Sequence, residues 1–292
     1  MASLPENKEF EALVSLLDEP DAIVYEQIME KVVSLGKDVI PYLEKSWENN
    51  FDETLQNRIE DIIKQIQHNT LFSDFQTWKE NPENNLLQAY LLITRFQYPH
   101  LDEFDITRQL GRITQDVWLE LNDNLTAFEK IKVFNKIFYD FHHFSGNLEN
   151  LLTPDSLYLN RLLETRKGNP LSLGILYSII ARSLKIPVYG VMLPEHFILA
   201  CAKGEITSRM MEEGSGEILF YINPFNRGEM FTRNEVNTYL KQLDIVPKRK
   251  YFYPSNDLQI VKIMIQSLIA SYIQLEAPDK VEELEDLQKI LD

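Results

Sequence analysis

RKGNPLSLGILYSIIARSLKIPVYGVMLPEHFILACA, residues 166–202, changes character twice along its length. Its first part reads as a helix, Leu171–Leu184, opened by Asn169 as a cap and by Pro170 at the first helical position. There a fixed φ and a missing N–H do no harm. Two runs rich in Val, Ile, Leu and Phe follow, Val188–Leu193 and His196–Ala202, and read as strands. A polar insert, Lys203–Gly216, with Met210 and Met211 at its centre, separates them from a third run, Glu217–Asn223. The insert reads equally as a lid or as a disordered hairpin. Together the pieces predict a small antiparallel sheet packed on the preceding helix.

Working outward, the chain is helical on both sides. From Glu9 to about Gln67 apolar residues recur at helical spacing, among them Leu13, Leu16, Leu17, Ile23, Ile28, Val32, Val33, Ile40, Leu43 and Trp47. Glu19-Pro20-Asp21 and Gly36-Lys37-Asp38 punctuate them as helix starts and stops. The segment Asp18–Asn50 resembles one HEAT-type hairpin, with no second copy at a fixed period. Helical patterns continue through Leu86–Phe96, Thr107–Leu121 and Thr126–His143, and a polar loop from Ser145 leads past Pro154 into a helix-sized stretch, Ser156–Thr165. Beyond Pro254 two further helices are expected, Leu258–Leu275 and Val281–Leu291, joined at Ala277-Pro278-Asp279.

The 292 residues suffice for one large or two ordinary domains. At 44% hydrophobic and 25% charged the composition is that of a folded globular protein. Its formal charge of −16 repels phosphate backbones and anionic membranes unless a local basic patch intervenes. The densest basic run, Lys248-Arg249-Lys250 beside Tyr251, Phe252 and Tyr253, reads as a solvated loop, so no nucleic-acid or membrane partner is expected. Cys201 is the only cysteine, which excludes an intramolecular disulfide and a cysteine-based zinc site and favours a reducing compartment. Met1 to Phe10 shows no apolar stretch behind a basic start, and no run approaches the roughly 18–20 apolar residues that span a bilayer. A cytoplasmic location is the expectation.

The ordered blocks Phe144-Ser145-Gly146-Asn147, Arg166 to Leu173, Ala181-Arg182 with Ile186-Pro187-Val188, Leu193 to Phe197, and Ile222-Asn223-Pro224-Phe225 resemble the transglutaminase-like superfamily. More narrowly they resemble its bacterial SirB-type branch, in which helical segments flank a degenerate core and a tetratricopeptide-like tail follows. The resemblance implies an α+β protein in three parts. These are a helical region, partly HEAT-like, over 1–124; a papain/transglutaminase-like core of one central helix on a small antiparallel sheet over 125–253; and a helical hairpin over 254–292.

Active members of that superfamily set a cysteine at a helix amino end, a histidine on the next strand and an aspartate on the one after. Unpaired N–H groups and partial positive charge at the helix start favour the thiolate, while the acid orients the imidazole. By the resemblance, Pro170 stands at the nucleophile position, His196 at the histidine and Asn223 at the aspartate. Proline has no nucleophilic atom. Asn169, Ser172, Glu195 and Phe197 complete the candidate cleft. Cys201 is an odd number of residues beyond His196 on one strand, so their side chains are expected on opposite faces. Ser172 lies about 200° around the helix from Pro170 and reads as a first-turn residue serving backbone donors. His142-His143 reads as a helix carboxyl end, and Arg227 as part of a surface turn.

The sequence therefore points to a non-catalytic protein with an interaction or regulatory role and a protein or peptide partner. The alternative is a hydrolase or acyltransferase on peptide or amide substrates, with a water activated by His196 and Asn223 in place of a covalent nucleophile. No metal and no cofactor are expected.

Overall fold

The structure, a computed structural model, describes residues 10, 12–13, 16–81, 85–149 and 151–292. Residues 1–9, which carry the reading that no secretory signal opens the chain, lie outside the described residues. The chain divides into two compact units, Met1–Thr77 and Trp78–Asp292.

The first unit holds α1 (Ala22–Ser34), α2 (Ile40–Asn49) and most of α3 (Glu53–Glu80). Asp21 opens α1 by accepting hydrogen bonds from the N–H groups of Ile23 (2.9 Å) and Val24 (3.3 Å), as its place after Pro20 suggests. Gly36, at φ +75°, turns the chain out of α1. Leu17, Val32, Leu43, Ile59 and Ile62 fill the core. Arg58 donates from α3 to the carbonyls of Leu17 (2.5 Å) and Glu19 (3.0 Å).

In the second unit the order is α4 (Leu86–Gln97), α5 (Glu103–Glu120), α6 (Ala127–Asn135) running into a π-helical turn (Lys136–Phe141), β1 (Ser145–Gly146), α7 (Leu159–Thr165), β2 (Lys167–Gly168), α8 (Pro170–Ser183), β3 (Val188–Leu193), β4 (His196–Ala202), α9 (Ser208–Glu213), β5 (Ile218–Asn223), β6 (Glu229–Phe231), α10 (Arg233–Gln242), α11 (Asp257–Gln274) and α12 (Pro278–Leu291). The fold is α+β and mostly helical. β3 to β6 form one antiparallel sheet in sequence order, and β1 pairs with β2 in parallel.

α8 is buried along most of its length because it packs on β3 and β4. A side chain at Gly174 of α8 or at Gly190 of β3 would run into the same phenyl ring, that of Phe197, at 2.6 and 2.5 Å. Phe197 thus marks the sheet face turned to α8. Strand alternation puts Val191, Leu193, Ile198 and Tyr221 on the other face, where they pack with Val236 and Leu240 of α10 and with Phe252. The sheet is therefore covered on both sides.

α10 and β6 were not expected. β6 is only three residues long, and α10 buries only Val236 and Leu240, too few to show a periodic stripe. α10 did carry a legible start: the Thr232 hydroxyl accepts from the Glu235 N–H, and the Glu235 carboxylate accepts in return from the Thr232 N–H. The insert 203–216 holds a short helix rather than a hairpin. Thr207 caps a short helix, α9, and Gly214 at φ +57° closes it. α5 begins four residues ahead of expectation at Glu103, capped by Asp102, because its first turn is polar and outside the apolar pattern. Pro278 begins α12 rather than ending a turn, the position where proline fits a helix best.

Candidate functional site

The amino end of α8 is closed on itself. Asn169 accepts from the Ser172 N–H at 2.9 Å, and Ser172 Oγ accepts from the Asn169 N–H at 3.1 Å. Both residues are buried, and Asn169 Nδ2 also donates to Ser156 Oγ at 3.3 Å. Gly168 is required just before them, since a Cβ there would lie 2.6 Å from Ser172 Oγ and 2.7 Å from Leu162. Pro170 sits half-buried at the first helical position. The Ser172 hydroxyl is committed to the cap, the role its place in the first turn suggests, and has no route to solvent.

Glu195 and His196 lie at the turn between β3 and β4. The β3–β4 hairpin turns through Pro194 and Glu195, with Glu195 at φ +62° and both Glu195 and His196 exposed. His196 pairs with Leu193, whose side chain lies on the α10 face, and the His196 ring is 5.3 Å from the ring of Tyr239 in α10. Tyr239 in turn donates to the Pro194 carbonyl at 2.9 Å. His196 thus projects on the face away from α8, and Phe197 projects toward it.

Asn223 ends β5. Its Oδ1 accepts from the N–H groups of Phe225 and Asn226, both at 3.1 Å, and builds the turn into β6. Continuing the β4–β5 register from Leu199↔Ile222 sets Asn223 across from Ile198, two residues along β4 from His196. Among the described residues no hydrogen bond joins His196 to Asn223. The turn 223–228 is clamped from α6 and its π-helical extension: Tyr139 donates to the Pro224 carbonyl (2.8 Å) and Asn135 Nδ2 to that of Gly228 (2.8 Å). Tyr177 of α8 donates to Asn135 Oδ1 (2.8 Å), and Arg227 pairs with Asp140. The residues 222–228 that looked like a site motif therefore lock the sheet to the helices.

Cys201 lies on the α8 side of β4, opposite to His196, as the odd spacing requires. It is fully buried, and burial pushes its thiol up to about 12. His142 ends the π-helical turn with Nε2 2.9 Å from Asp116. Burial outweighs that carboxylate and lowers the imidazole pKa, so the charged form expected at a helix carboxyl end is disfavoured. Among the described residues no group of three or more His, Cys, Asp and Glu side chains is placed to hold a metal, and no helix is long and apolar enough to cross a membrane.

Among relatives, the chain is 32% identical to a UPF0162 protein of Pasteurella multocida over 44% of each chain, and 26% identical to UPF0162 protein YchA of Escherichia coli K12 over 62% of each. It is 30% identical to the mouse F-box only protein 21 over 47% of this chain and 20% of that one. The matched stretch spans about half the length of the bacterial relatives. No solved structure matches the chain. The family model for the transglutaminase-like superfamily matches residues 104–266, from α5 into α11 and more than half of the sequence, so the chain belongs to the transglutaminase-like superfamily.

Proposed function

We propose that this is a non-catalytic member of its superfamily that holds a segment of a partner protein in the groove between α5 and the π-helical turn. The observation that carries the proposal is the exposure of Leu119 and Phe141, each 63% accessible, on the walls of a groove of about 430 Å³. Ile137 forms part of the same wall, and Glu120 edges it together with Lys136, with Asp116 beside His142 and with Asp140 paired to Arg227. Exposed apolar side chains gathered in one groove mark interaction sites more often than chance surface. The carboxylates favour a segment whose apolar residues alternate with basic ones at helical spacing.

The non-catalytic half of the reading rests on the nucleophile position. Pro170 offers no reacting atom, Ser172 is sealed in the helix cap, and Cys201 is buried as a neutral thiol. The hydrolase alternative needs Asn223 to orient His196, and the Asn223 oxygen is instead taken by two backbone N–H groups.

The finer family placement is part of the same proposal. It comprises the SirB-type branch, a papain-like core over 125–253 after the helical region 1–124, and a tetratricopeptide-like hairpin over 254–292. In support of the last, Lys262 near the start of α11 bonds Asp292 beyond the end of α12 at 2.7 Å, so the two helices run antiparallel. A cytoplasmic location suits a chain whose single thiol is buried and unpaired.

The test is a display library of amphipathic helical peptides, one set basic and one acidic between the apolar positions, selected against the full chain. Enrichment of the basic set, lost with Leu119→Asp and with Phe141→Asp, is expected. Enrichment of the acidic set, or enrichment that survives both substitutions, contradicts the proposal.

A further inference from the structure

A second cleft in the second unit lies at the far end of α8 from Pro170. It has a volume of about 980 Å³ and opens at the carboxyl end of α8, against Ile179, Arg182 and Ser183. At 1.5 Å per residue that is about 20 Å along the helix from the relic nucleophile position. Its size matches the roughly 300–1,000 Å³ of small-molecule sites.

Two chemistries meet there. The floor is apolar and buried: Leu86 at the start of α4, Ile186, Tyr189, Cys201, Ala202 and Ile206. The rim is cationic, with Lys130, Arg182, Lys185 and Lys203 against a single carboxylate, Glu205. In a chain of net charge −16 this is a local gathering of cations, and a cleft with low-dielectric walls strengthens the field of any that lack a partner. Arg182 is held by Asp257 at 2.9 Å, and Lys203 by Glu217 at 3.0 Å. Lys130 and Lys185 have no carboxylate partner among the described residues and are free to meet a ligand. The carbonyl end of α8 also faces the cleft, and Arg182 and Lys185 offset it. The amino end of α4 also lines the cleft and adds positive character, whereas that of α6 is offset by the Glu129 carboxylate in its capping box.

We infer that this cleft binds an amphiphilic organic anion, a carboxylate or phosphate monoester carrying an apolar body. The tail lies on the Ile186, Tyr189 and Ile206 floor, and the head group is met by Lys130 and Lys185. A neutral apolar ligand would leave the rim lysines unused. The site is independent of the α5 groove and of the relic triad positions.

The experiment is calorimetric titration of the full chain with decanoate, decyl phosphate and decyltrimethylammonium, each below its micelle concentration. Saturable binding of one or both anions is expected, and which one binds tighter identifies the head group. In Lys130→Glu/Lys185→Glu the affinity should fall about tenfold or more, since two attractions become repulsions. A charge-matched control at residues that do not line the cleft, Lys167→Glu at the amino end of α8 with Lys241→Glu on α10, should change it less than about twofold, because exposed charges beyond about 10 Å are screened. None of the four lysines is buried, Lys130 being half-buried and the others exposed, so circular dichroism and melting should match the parent chain. The inference is overturned if neither anion saturates, if the cation binds as tightly as the anions, or if both double variants lose affinity equally.

Discussion

Gly174→Ala and Gly111→Ala are the same substitution on two helices, and the structure separates their effects. Gly111 lies on the exposed side of α5, and an added Cβ there meets nothing within 4 Å. The helix-propensity gain is then uncancelled, and the change should stabilise by roughly 0.5–1 kcal/mol. Gly174 carries the same gain, but its Cβ would lie 2.6 and 2.7 Å from the Phe197 ring and 3.1 Å from Pro224. Phe197 cannot retreat, because its far edge already rests on Gly190. Overpacking of this kind costs about 1–3 kcal/mol, which exceeds or cancels the propensity gain. The two variants should therefore differ by about 1–3 kcal/mol, which is roughly 2–4 °C in Tm for each kcal/mol at this chain size. Urea titrations followed by circular dichroism read the difference, and the penalty at Gly174 should vanish in a Phe197→Leu background as a coupling of about 1 kcal/mol or more. If Gly174→Ala stabilises as much as Gly111→Ala, α8 does not sit on β3 and β4 as described.

Three further outcomes follow from the same contacts. Asn169→Ala removes the cap of α8 and should cost about 1–2 kcal/mol in denaturant titration, whereas Asn169→Ser, which can still accept from the helix start, should cost less; equal losses would contradict the capping role. Cys201 should resist a thiol reagent at pH 8 in the native chain and react fully after denaturation, because its pKa is pushed up to about 12; rapid native labelling would contradict its burial. His142 has a folded-state pKa below its ordinary value of about 6.5, so below that pH the unfolded chain binds the extra proton. Stability should accordingly fall on acidification from pH 7.5 to 5, and less so in His142→Gln; an equal fall in both would assign the effect elsewhere.

Much of this was legible in the sequence because it rests on short-range signals. Val188–Leu193 and His196–Ala202 match β3 and β4 residue for residue, since alternating apolar side chains between a helix and a two-residue turn leave few alternatives. The cap formed by Asn169 and Ser172 and the opposite facing of Cys201 and His196 likewise follow from spacing alone. What was not legible depends on tertiary partners. α10 is held by two apolar residues against a sheet face, and its neighbours in sequence give no hint of that face. The cleft at the carboxyl end of α8 draws Leu86, Lys130, Lys185 and Ile206 from four distant segments, and only the fold joins them. The π-helical turn at Lys136–Phe141 presents Phe141 to solvent where a regular helix pattern gave no reason to expect it.

The proposed non-catalytic role rests on proline at the nucleophile position and on the His196 ring lying 5.3 Å from that of Tyr239. The most direct test is release of ammonia and incorporation of a fluorescent amine with glutamine-containing peptides, measured for the unaltered chain, for Pro170→Cys, and for Pro170→Cys with His196→Ala. The account predicts rates equal to buffer for all three, because restoring a thiol does not bring the imidazole round to it. Turnover by the unaltered chain, or activity gained in Pro170→Cys and lost again with His196→Ala, would contradict it.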